Sequence, residues 1–238
     1  LRLLTAAGFD IVELSGNHLN DYGREPLAYT LDLYRQAGLK YFAGGSAIPE
    51  ARAPLLVEDH GNRLAFLGCN PAGPPNVWAT DTLPGAAACE DYAWIKEAAQ
   101  RLRSEGYLPI LTLQYYEAYR PEPLDWEQRD FRALAESGAV IVSGSQAHYP
   151  MGLEFHNGVL IHYGLGNLFF DQMRYTLPNG SITDWTAREL IDRHIFYDGR
   201  YISTQLLTAR LEEYARPRPM TAVERAEMLG VIFSASGW

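Results

Sequence analysis

The stretch GAVIVSGSQAHYPMGLEFHNGVLIHYGLGNLFFDQ, residues 138–172, decides the fold of this chain. It contains an apolar strand at 139–143, a Gly-Ser-Gln-Ala-His loop, a hairpin and a Gly-Leu-Gly-Asn turn. Asn157-Gly158 favours the tight turn that joins two antiparallel strands. In α/β proteins, loops that follow rigid strands expose polar groups and commonly carry the chemistry. The stretch therefore predicts an α/β fold with a site at its strand ends.

The same alternation of strands and helices extends in both directions from this stretch. Strands are predicted at 9–15, 39–43 and 109–113, and helices at 26–37, 90–104 and 125–136. Hairpins are predicted at 55–67 and 195–210, and a Thr221–Glu224 capping box predicts a final helix to about residue 233. Residues 1–7 have the pattern of a helix end, and residues 173–182 that of an irregular loop. These elements predict a single α/β domain over residues 1–238, with one mixed sheet or two packed sheets.

Composition narrows the classes of function. The chain has 238 residues, a net charge of −9 and an isoelectric point near 5.1. This acidity argues against nucleic acid and against an anionic membrane surface as partners, while a bound divalent metal would still allow an anionic substrate. We find no membrane span in the sequence. The two cysteines, Cys69 and Cys89, fit either one disulfide or two buried thiols.

The first candidate motif is Gly-Asn-His-Leu-Asn-Asp-Tyr-Gly at residues 16–23, directly after a predicted strand. The carbonyl oxygen of Asn17 is a suitable ligand for a divalent ion, and His18 could donate a proton to a phosphoryl oxygen or leaving group. Asp21 could orient His18. Alternatively, the segment is an Asx turn with a surface histidine.

The second candidate motif follows the strand at 109–113. Glu117 could bind metal or substrate, Gln114 could support it, and Tyr116 could line a substrate cleft. Alternatively, this segment is a strand end that enters solvent, and its tyrosine belongs to the core.

Two further motifs lie in the opening stretch. Ser145, Gln146 and His148 follow the strand at 139–143, and His148 is a candidate ligand, acid or base. Asn167 lies in the Gly-Leu-Gly-Asn turn, which could serve as a substrate loop. Alternatively, the first is a loop with a histidine of no function and the second a purely structural turn.

Taken in order, these motifs resemble the bacterial capsule-synthesis CapA family, also called the poly-γ-glutamate biosynthesis family, which is related to calcineurin-like metallophosphoesterases. The segments that carry the resemblance are GFDIVELSGNHLNDYG, AGLKYFAGG, the Gln-Tyr-Tyr-Glu strand end, SGAVIVSGSQAH and YGLGNLFFD. The resemblance spans about residues 1–172 and leaves a divergent part at 172–238.

The resemblance implies a metallophosphatase-like sandwich of two mixed β-sheets flanked by helices, without the N-terminal strands of the family. It implies that Asn17, Glu117 and His148 are ligands of a divalent Mn, Fe, Zn or Mg ion, and that His18, Asp21 and His148 are catalytic. Gln114, Tyr116, Ser145, Gln146 and Asn167 would then contact the substrate, an anionic polymer or phosphoester. It also implies capsule-synthesis partner proteins and a location at the cell surface or anchored outward on a membrane, with any anchor outside this chain.

Three departures from the family pattern qualify this expectation. Gln114, Ser145 and Gln146 stand where the family usually has histidines. Amides and hydroxyls are weaker ligands than imidazole for zinc, manganese or iron. The sequence thus leaves open a metal-dependent hydrolase and, as the alternative, a non-catalytic polymer-binding or export factor, and it predicts that two transition metals are not bound tightly.

Overall fold

The computed structural model describes residues 1–214 and 216–238, and Ala215, within the predicted divergent part, lies outside the described residues. The chain divides into two compact units, residues 1–114 (unit 1) and residues 115–238 (unit 2). The assignment of residues 1–238 to one domain stays a prediction.

Unit 1 contains four α-helices and seven β-strands. The helices are α1 (Arg2–Ala6), α2 (Arg24–Ala37), α3 (Ile48–Ala51) and α4 (Ala93–Ser104). The strands are β1 (Ile11–Glu13), β2 (Lys40–Phe42), β3 (Gly44–Gly45), β4 (Leu55–Asp59), β5 (Asn62–Cys69), β6 (Gly85–Ala86) and β7 (Leu108–Gln114).

Mixed strand pairing organises unit 1. Strand β5 pairs antiparallel with β4 and parallel with β7, while β1 pairs parallel with β2. Helix α4 packs on β5 and β7 through a face that includes Ile95, Ala99 and Leu102. Helix α2 turns Leu27 and Leu31 toward Leu14 after β1, and these three side chains form a buried cluster. In each helix, the apolar residues that recur with the helical period thus form its buried face.

The described residues of unit 2 form two α-helices and eight β-strands. The helices are α5 (Asp125–Ala135) and α6 (Ala222–Ala235). The strands are β8 (Ile141–Ser145), β9 (Leu153–His156), β10 (Val159–His162), β11 (Tyr175–Thr176), β12 (Ile182–Thr183), β13 (Arg188–Tyr197), β14 (Arg200–Glu212) and β15 (Arg216–Pro219).

Unit 2 also combines parallel and antiparallel pairing. Strand β10 pairs parallel with β8 and antiparallel with β9, and α5 packs on β8 and β10 through Phe131 and Leu134. Strands β13, β14 and β15 form a separate antiparallel set. The predicted α/β class, with mixed sheet structure and flanking helices, is confirmed.

Most predicted elements match the structure within a few residues, and the exceptions have local causes. Residues 173–182, predicted as an irregular loop, include β11, which pairs antiparallel with β12 around the turn at Gly180. Helix α4 begins at Ala93 rather than at Glu90, because Glu90 and Tyr92 have left-handed backbone conformations. In the part of the chain described above, no helix is long and apolar enough to cross a membrane.

The cysteines, whose state the sequence left open, form a disulfide between Cys69 and Cys89. The bond lies beside Asn70, a fully buried residue whose backbone nitrogen donates to the carbonyl oxygen of Ala87 at 2.8 Å. The Asn70 side chain donates to the carbonyl of Ser15 at 2.8 Å and accepts from the nitrogen of Gly73 at 2.7 Å. Asn70 thereby fixes the backbone at Ser15, directly before the loop of residues 16–23 that contains Asn17, called the Asn17 loop below.

Gly144 is required by packing within β8. A Cβ atom built there would lie 2.2 Å from the carbonyl oxygen of Tyr163 and 2.9 Å from the ring of Phe131. Both atoms belong to packed parts of unit 2, so neither can withdraw without moving backbone or core. Gly144 is therefore required because the backbone of β8 and the backbone at Tyr163 lie too close together for a side chain at this position.

We predict that Gly144→Ala destabilises the protein by about 2 kcal/mol or more, because its methyl group has no space. Gly230→Ala is the matched control, since a Cβ at this helical position meets nothing within 4 Å. That control should leave stability unchanged or raise it by about 0.5–1 kcal/mol. Urea unfolding followed by circular dichroism measures both, and equal stability of the two variants would contradict the packing argument.

Candidate functional site

The Asn17 loop in unit 1 is tied to the end of β7. The Gln114 side-chain nitrogen donates to Asn17 Oδ1 at 3.0 Å, so two residues 97 positions apart in the chain are joined. Asn17 is half-buried and Gln114 is buried. Gln114, at which the resemblance implies a histidine in related proteins, thus bonds to the oxygen that the sequence predicts as a metal ligand.

His18 and Asp21 form a surface pair in the same loop. His18 Nδ1 lies 2.8 Å from Asp21 Oδ2, and their side chains are 69% and 53% exposed. The spacing of three residues brings the carboxylate to the ring. Such an exposed pair adds little to stability, because water screens it, and it leaves Nε2 of His18 available to a ligand.

A carboxylate that the sequence did not single out lies at the end of β1. Glu13 accepts hydrogen bonds from Ser15 and, at 3.3 Å, from Thr112 Oγ1. Burial raises the pKa of Glu13, and these hydrogen bonds only partly oppose the effect. The sequence shows that Glu13 lies in the strand before the Asn17 loop, but it does not show the contact with Thr112, which is 99 positions away.

In unit 2, the loop after β8 has an unusual backbone that presents His148. Gln146 has φ of 79° and His148 has φ of 57°, both in the left-handed region. The carbonyl of Ala147 between them accepts hydrogen bonds from the nitrogens of Ala118 and Tyr119, at 3.3 and 3.2 Å. Non-glycine residues in this region are uncommon and cluster at functional sites.

Asn167 holds the ring of His148. His148 Nδ1 lies 3.0 Å from Asn167 Oδ1, and the amide nitrogen of Asn167 donates to the carbonyl of Thr186 at 2.8 Å. Because that second bond requires the nitrogen to face Thr186, Oδ1 faces the ring and accepts a hydrogen bond from Nδ1–H. His148 is thereby fixed as the tautomer whose Nε2 is left for another partner.

The turn that carries Asn167 is also fixed by close packing. Gly166 has φ of 87°, and a Cβ there would lie 2.4 Å from the carbonyl oxygen of Arg188. The nitrogen of Leu190 donates to the carbonyl of Leu165 at 2.7 Å. The structure thus places Asn167, predicted as a substrate contact, in a buried position behind His148.

Polar and aromatic groups surround the outer side of His148. Glu117 Oε1 lies 3.8 Å from His148 Nε2, and the Glu117 side chain is 54% exposed. Tyr119 stacks on the imidazole with ring centroids 5.5 Å apart, and Phe170 approaches it at 4.9 Å. Tyr175 stacks on Tyr119 at 3.7 Å. We call His148, Glu117, Tyr119, Phe170 and Tyr175 the His148 cluster.

The other predicted contacts lie nearby in the chain but in different environments. Tyr116 is 44% exposed and packs edge-on against Trp126. Ser145 ends β8, where its carbonyl accepts from the nitrogen of Tyr115 at 3.1 Å, and Gln146 is half-buried. Sequence reasoning did not identify Phe170, Tyr175 or the carbonyl of Thr186, because their contacts with His148, Tyr119 and Asn167, respectively, depend on tertiary packing.

The donor groups within each unit differ from those of a two-metal centre. Across residues 1–214 and 216–238, no group of three or more His, Cys, Asp or Glu side chains is placed to hold a metal ion. In unit 1, Asn17 Oδ1 already accepts from Gln114. In unit 2, His148 and Glu117 provide one imidazole and one carboxylate, fewer than the three protein ligands of a catalytic zinc site.

Glu189 in β13 is a buried carboxyl group without a compensating partner. It pairs across a bridge with Gly166, is 1% exposed, and neither of its carboxyl oxygens has a hydrogen-bond partner. Burial raises the pKa of Glu189 to about 8. The turn that supports Asn167 therefore rests against a group that is protonated at neutral pH.

Comparison with known proteins defines the class of the chain. The model of the bacterial capsule synthesis protein family PGA_cap matches residues 1–172, and the chain belongs to this family. It is 24% identical over 228 residues to the capsule biosynthesis protein CapA of Bacillus anthracis, covering 93% of the chain and 52% of the relative. It is 24% identical over 173 residues to the PGA biosynthesis protein CapA of Bacillus subtilis, covering 72% and 45%.

A third relative and a solved structure complete the comparison. The chain is 26% identical over 178 residues to a Mycobacterium tuberculosis protein described as "Probable polyglutamine synthesis accessory protein", covering 71% of the chain and 47% of that protein. The NAD nucleotidase of Haemophilus influenzae aligns at 14% identity with a TM-score of 0.46, covering 98% of this chain and 47% of that one. The chain thus spans about half the length of the curated relatives it matches.

The raised pKa of Glu189 predicts a pH-dependent stability. Folding favours the protonated acid, so its contribution is fully present below pH 4.5 and is lost as pH rises toward 8. We expect the unfolding free energy of the wild type to fall by about 4 kcal/mol over this interval relative to Glu189→Gln, which cannot ionise. Urea titrations at several pH values measure the difference. The exposed Glu122→Gln is the control, and an identical pH profile for wild type and Glu189→Gln would contradict the assignment.

Proposed function

We propose that this chain acts in the synthesis of a glutamate polymer of the cell envelope as a polymer-binding accessory factor, with the His148 cluster as its contact surface. The observation that carries the proposal is the composition of this cluster. It combines an oriented imidazole and an exposed carboxylate with aromatic rings, and it lacks the ligand number of a metal centre. The names of two relatives, a PGA biosynthesis protein of Bacillus subtilis and a probable polyglutamine synthesis accessory protein of Mycobacterium tuberculosis, support a polymer of this class.

The His148 cluster is better suited to contact the amide backbone of such a polymer than to contact the carboxylates of the polymer. Glu117 accepts hydrogen bonds and repels anions, so it favours an amide N–H of the polymer and turns carboxylates away. Tyr119 and Phe170 offer apolar faces for the methylene groups between amides. The Nε2 atom of His148 provides the second polar contact.

The disulfide supports an extracytoplasmic setting for this role. Disulfides persist mainly in oxidising compartments, and Cys69–Cys89 closes a loop that supports the Asn17 segment. We therefore propose that the chain functions outside the cytoplasm, where an envelope polymer emerges.

A metal-dependent phosphoester hydrolase is the second candidate, and one observation favours it. His148 donates through Nδ1 to a fixed oxygen and keeps Nε2 for another partner, as metal-ligating histidines do. In that case Glu117 and His148, both in unit 2, would hold the ion. The ion would polarise a phosphoryl oxygen.

Binding of fluorescein-labelled poly-γ-glutamate, measured by fluorescence anisotropy, tests the first proposal. We predict that His148→Ala raises the Kd at least about tenfold, because a hydrogen bond to a charged or oriented group is lost. His156→Ala is the matched control: His156 lies in the β9 hairpin and bonds to Glu136 at 2.8 Å. It should leave the Kd unchanged.

The same proteins, supplied with manganese and bis(p-nitrophenyl) phosphate, test the second candidate. Hydrolysis that requires manganese and disappears in His148→Ala and Glu117→Ala would replace the accessory role by an enzymatic one. Absence of polymer binding by the wild type, or equal binding by His148→Ala, would refute the accessory role.

A further inference from the structure

Unit 2 contains a cavity of about 330 Å³ bordered by α6 and by strands of both of its larger strand sets. Most of its wall is apolar, and none of the lining residues belongs to the His148 cluster. The apolar lining includes Leu153, Leu160, Leu229, Phe233 and Trp238. A volume of this size lies at the lower end of the range for small-molecule sites, which are mainly apolar with a few placed polar groups.

Two buried polar side chains, His162 and Asp192, also line the cavity. His162 Nδ1 lies 2.7 Å from Asp192 Oδ2, and the side chains are 1% and 5% exposed. The second polar atom of each, His162 Nε2 and Asp192 Oδ1, has no hydrogen-bond partner. Each side chain therefore has one polar atom bonded to the other side chain and one polar atom without a hydrogen-bond partner.

Neighbouring polar groups of the wall are satisfied elsewhere. Thr204 Oγ1 lies 2.7 Å from His194 Nδ1 and 2.8 Å from the hydroxyl of Tyr201. Arg225 donates to the carbonyl of Leu206 at 2.7 Å. Of the polar wall groups named here, the His162–Asp192 pair is therefore the one with atoms that lack a hydrogen-bond partner.

The charge state of the pair defines the missing partner. Burial opposes ionisation of Asp192, but the charge and hydrogen bond of His162 outweigh it, and the pKa of Asp192 is lowered. An ionised Asp192 accepts only, so Oδ1 requires a donor. A buried acceptor without a donor destabilises the folded state, and such groups in native proteins call for an explanation.

We propose that this cavity binds a small organic molecule with a compact apolar body and one hydroxyl or amine group, which donates a hydrogen bond to Asp192 Oδ1 beside His162. A cavity of about 330 Å³ accommodates an apolar body of two or three fused rings. Leucine, phenylalanine and tryptophan side chains cover the body, and the head group satisfies the buried acceptor. The site is independent of the polymer contact proposed above.

Two probes of equal shape, 2-naphthol and naphthalene, test the proposal on the full chain. Each competes with the fluorescent amine 1-aminoanthracene, whose emission reports occupancy. We expect 2-naphthol to bind at least about tenfold more tightly than naphthalene, since only 2-naphthol supplies a donor to a charged acceptor. Asp192→Asn, which removes the charge, should reduce this ratio.

A cavity-filling variant locates the bound probe. Leu229→Trp should abolish 1-aminoanthracene binding, whereas Leu56→Trp, at an exposed position in β4, should not. Leu229→Phe replaces Leu229→Trp if circular dichroism shows that the larger residue prevents folding, and the wild-type comparison of the two competitors needs no variant. Absence of saturable probe binding, equal affinity of the two competitors, or retained binding in the filled variant would overturn the proposal.

Discussion

The hydrogen bond from His148 Nδ1–H to Asn167 Oδ1 is the interaction on which the site in unit 2 depends. It joins the loop after β8 to the Gly-Leu-Gly-Asn turn, and the bond from Asn167 to the Thr186 carbonyl fixes the direction of the amide. A ring held at one nitrogen and covered by Tyr119 and Phe170 has few orientations left. The fixed tautomer is the reason why His148, rather than the exposed His18, is the centre of the proposed polymer contact.

Unit 1 shows how a family pattern can be kept while its donor chemistry changes. Asn17 stands where the resemblance implies a metal ligand, yet its oxygen accepts from Gln114. An amide pair of this kind satisfies itself, whereas a histidine at Gln114 would leave a nitrogen for an ion. Family membership is therefore compatible with a binding role that needs no metal, and the buried Glu13 and Asn70 maintain the loop in either case.

Local patterns in the sequence predict most of the fold. Asn157-Gly158 identifies the β9–β10 hairpin, and Thr221 with Glu224 identifies the start of α6, because both signals act within a few residues. The β11–β12 pair was missed since each strand has only two residues, too few for a periodic signal. The disulfide could not be decided, because two cysteines alone do not indicate whether the chain is in an oxidising compartment.

The residue types of the candidate site can be singled out in the sequence, whereas the contacts between them cannot. His148 and Asn167 were both singled out, but their contact spans 19 positions and two loops, so Asn167 was expected to face substrate. The His162–Asp192 pair spans 30 positions and gives no local signal at all.

Nitrogen-15 NMR of the imidazole of His148 tests the central claim most directly. The account predicts that at about pH 9, where a neutral ring shows its tautomer, the proton of His148 resides on Nδ1 in the wild type. In Asn167→Ala the proton should move largely to Nε2, as in a free imidazole. A proton found on Nε2 in the wild type, or a tautomer unchanged by Asn167→Ala, would contradict the account.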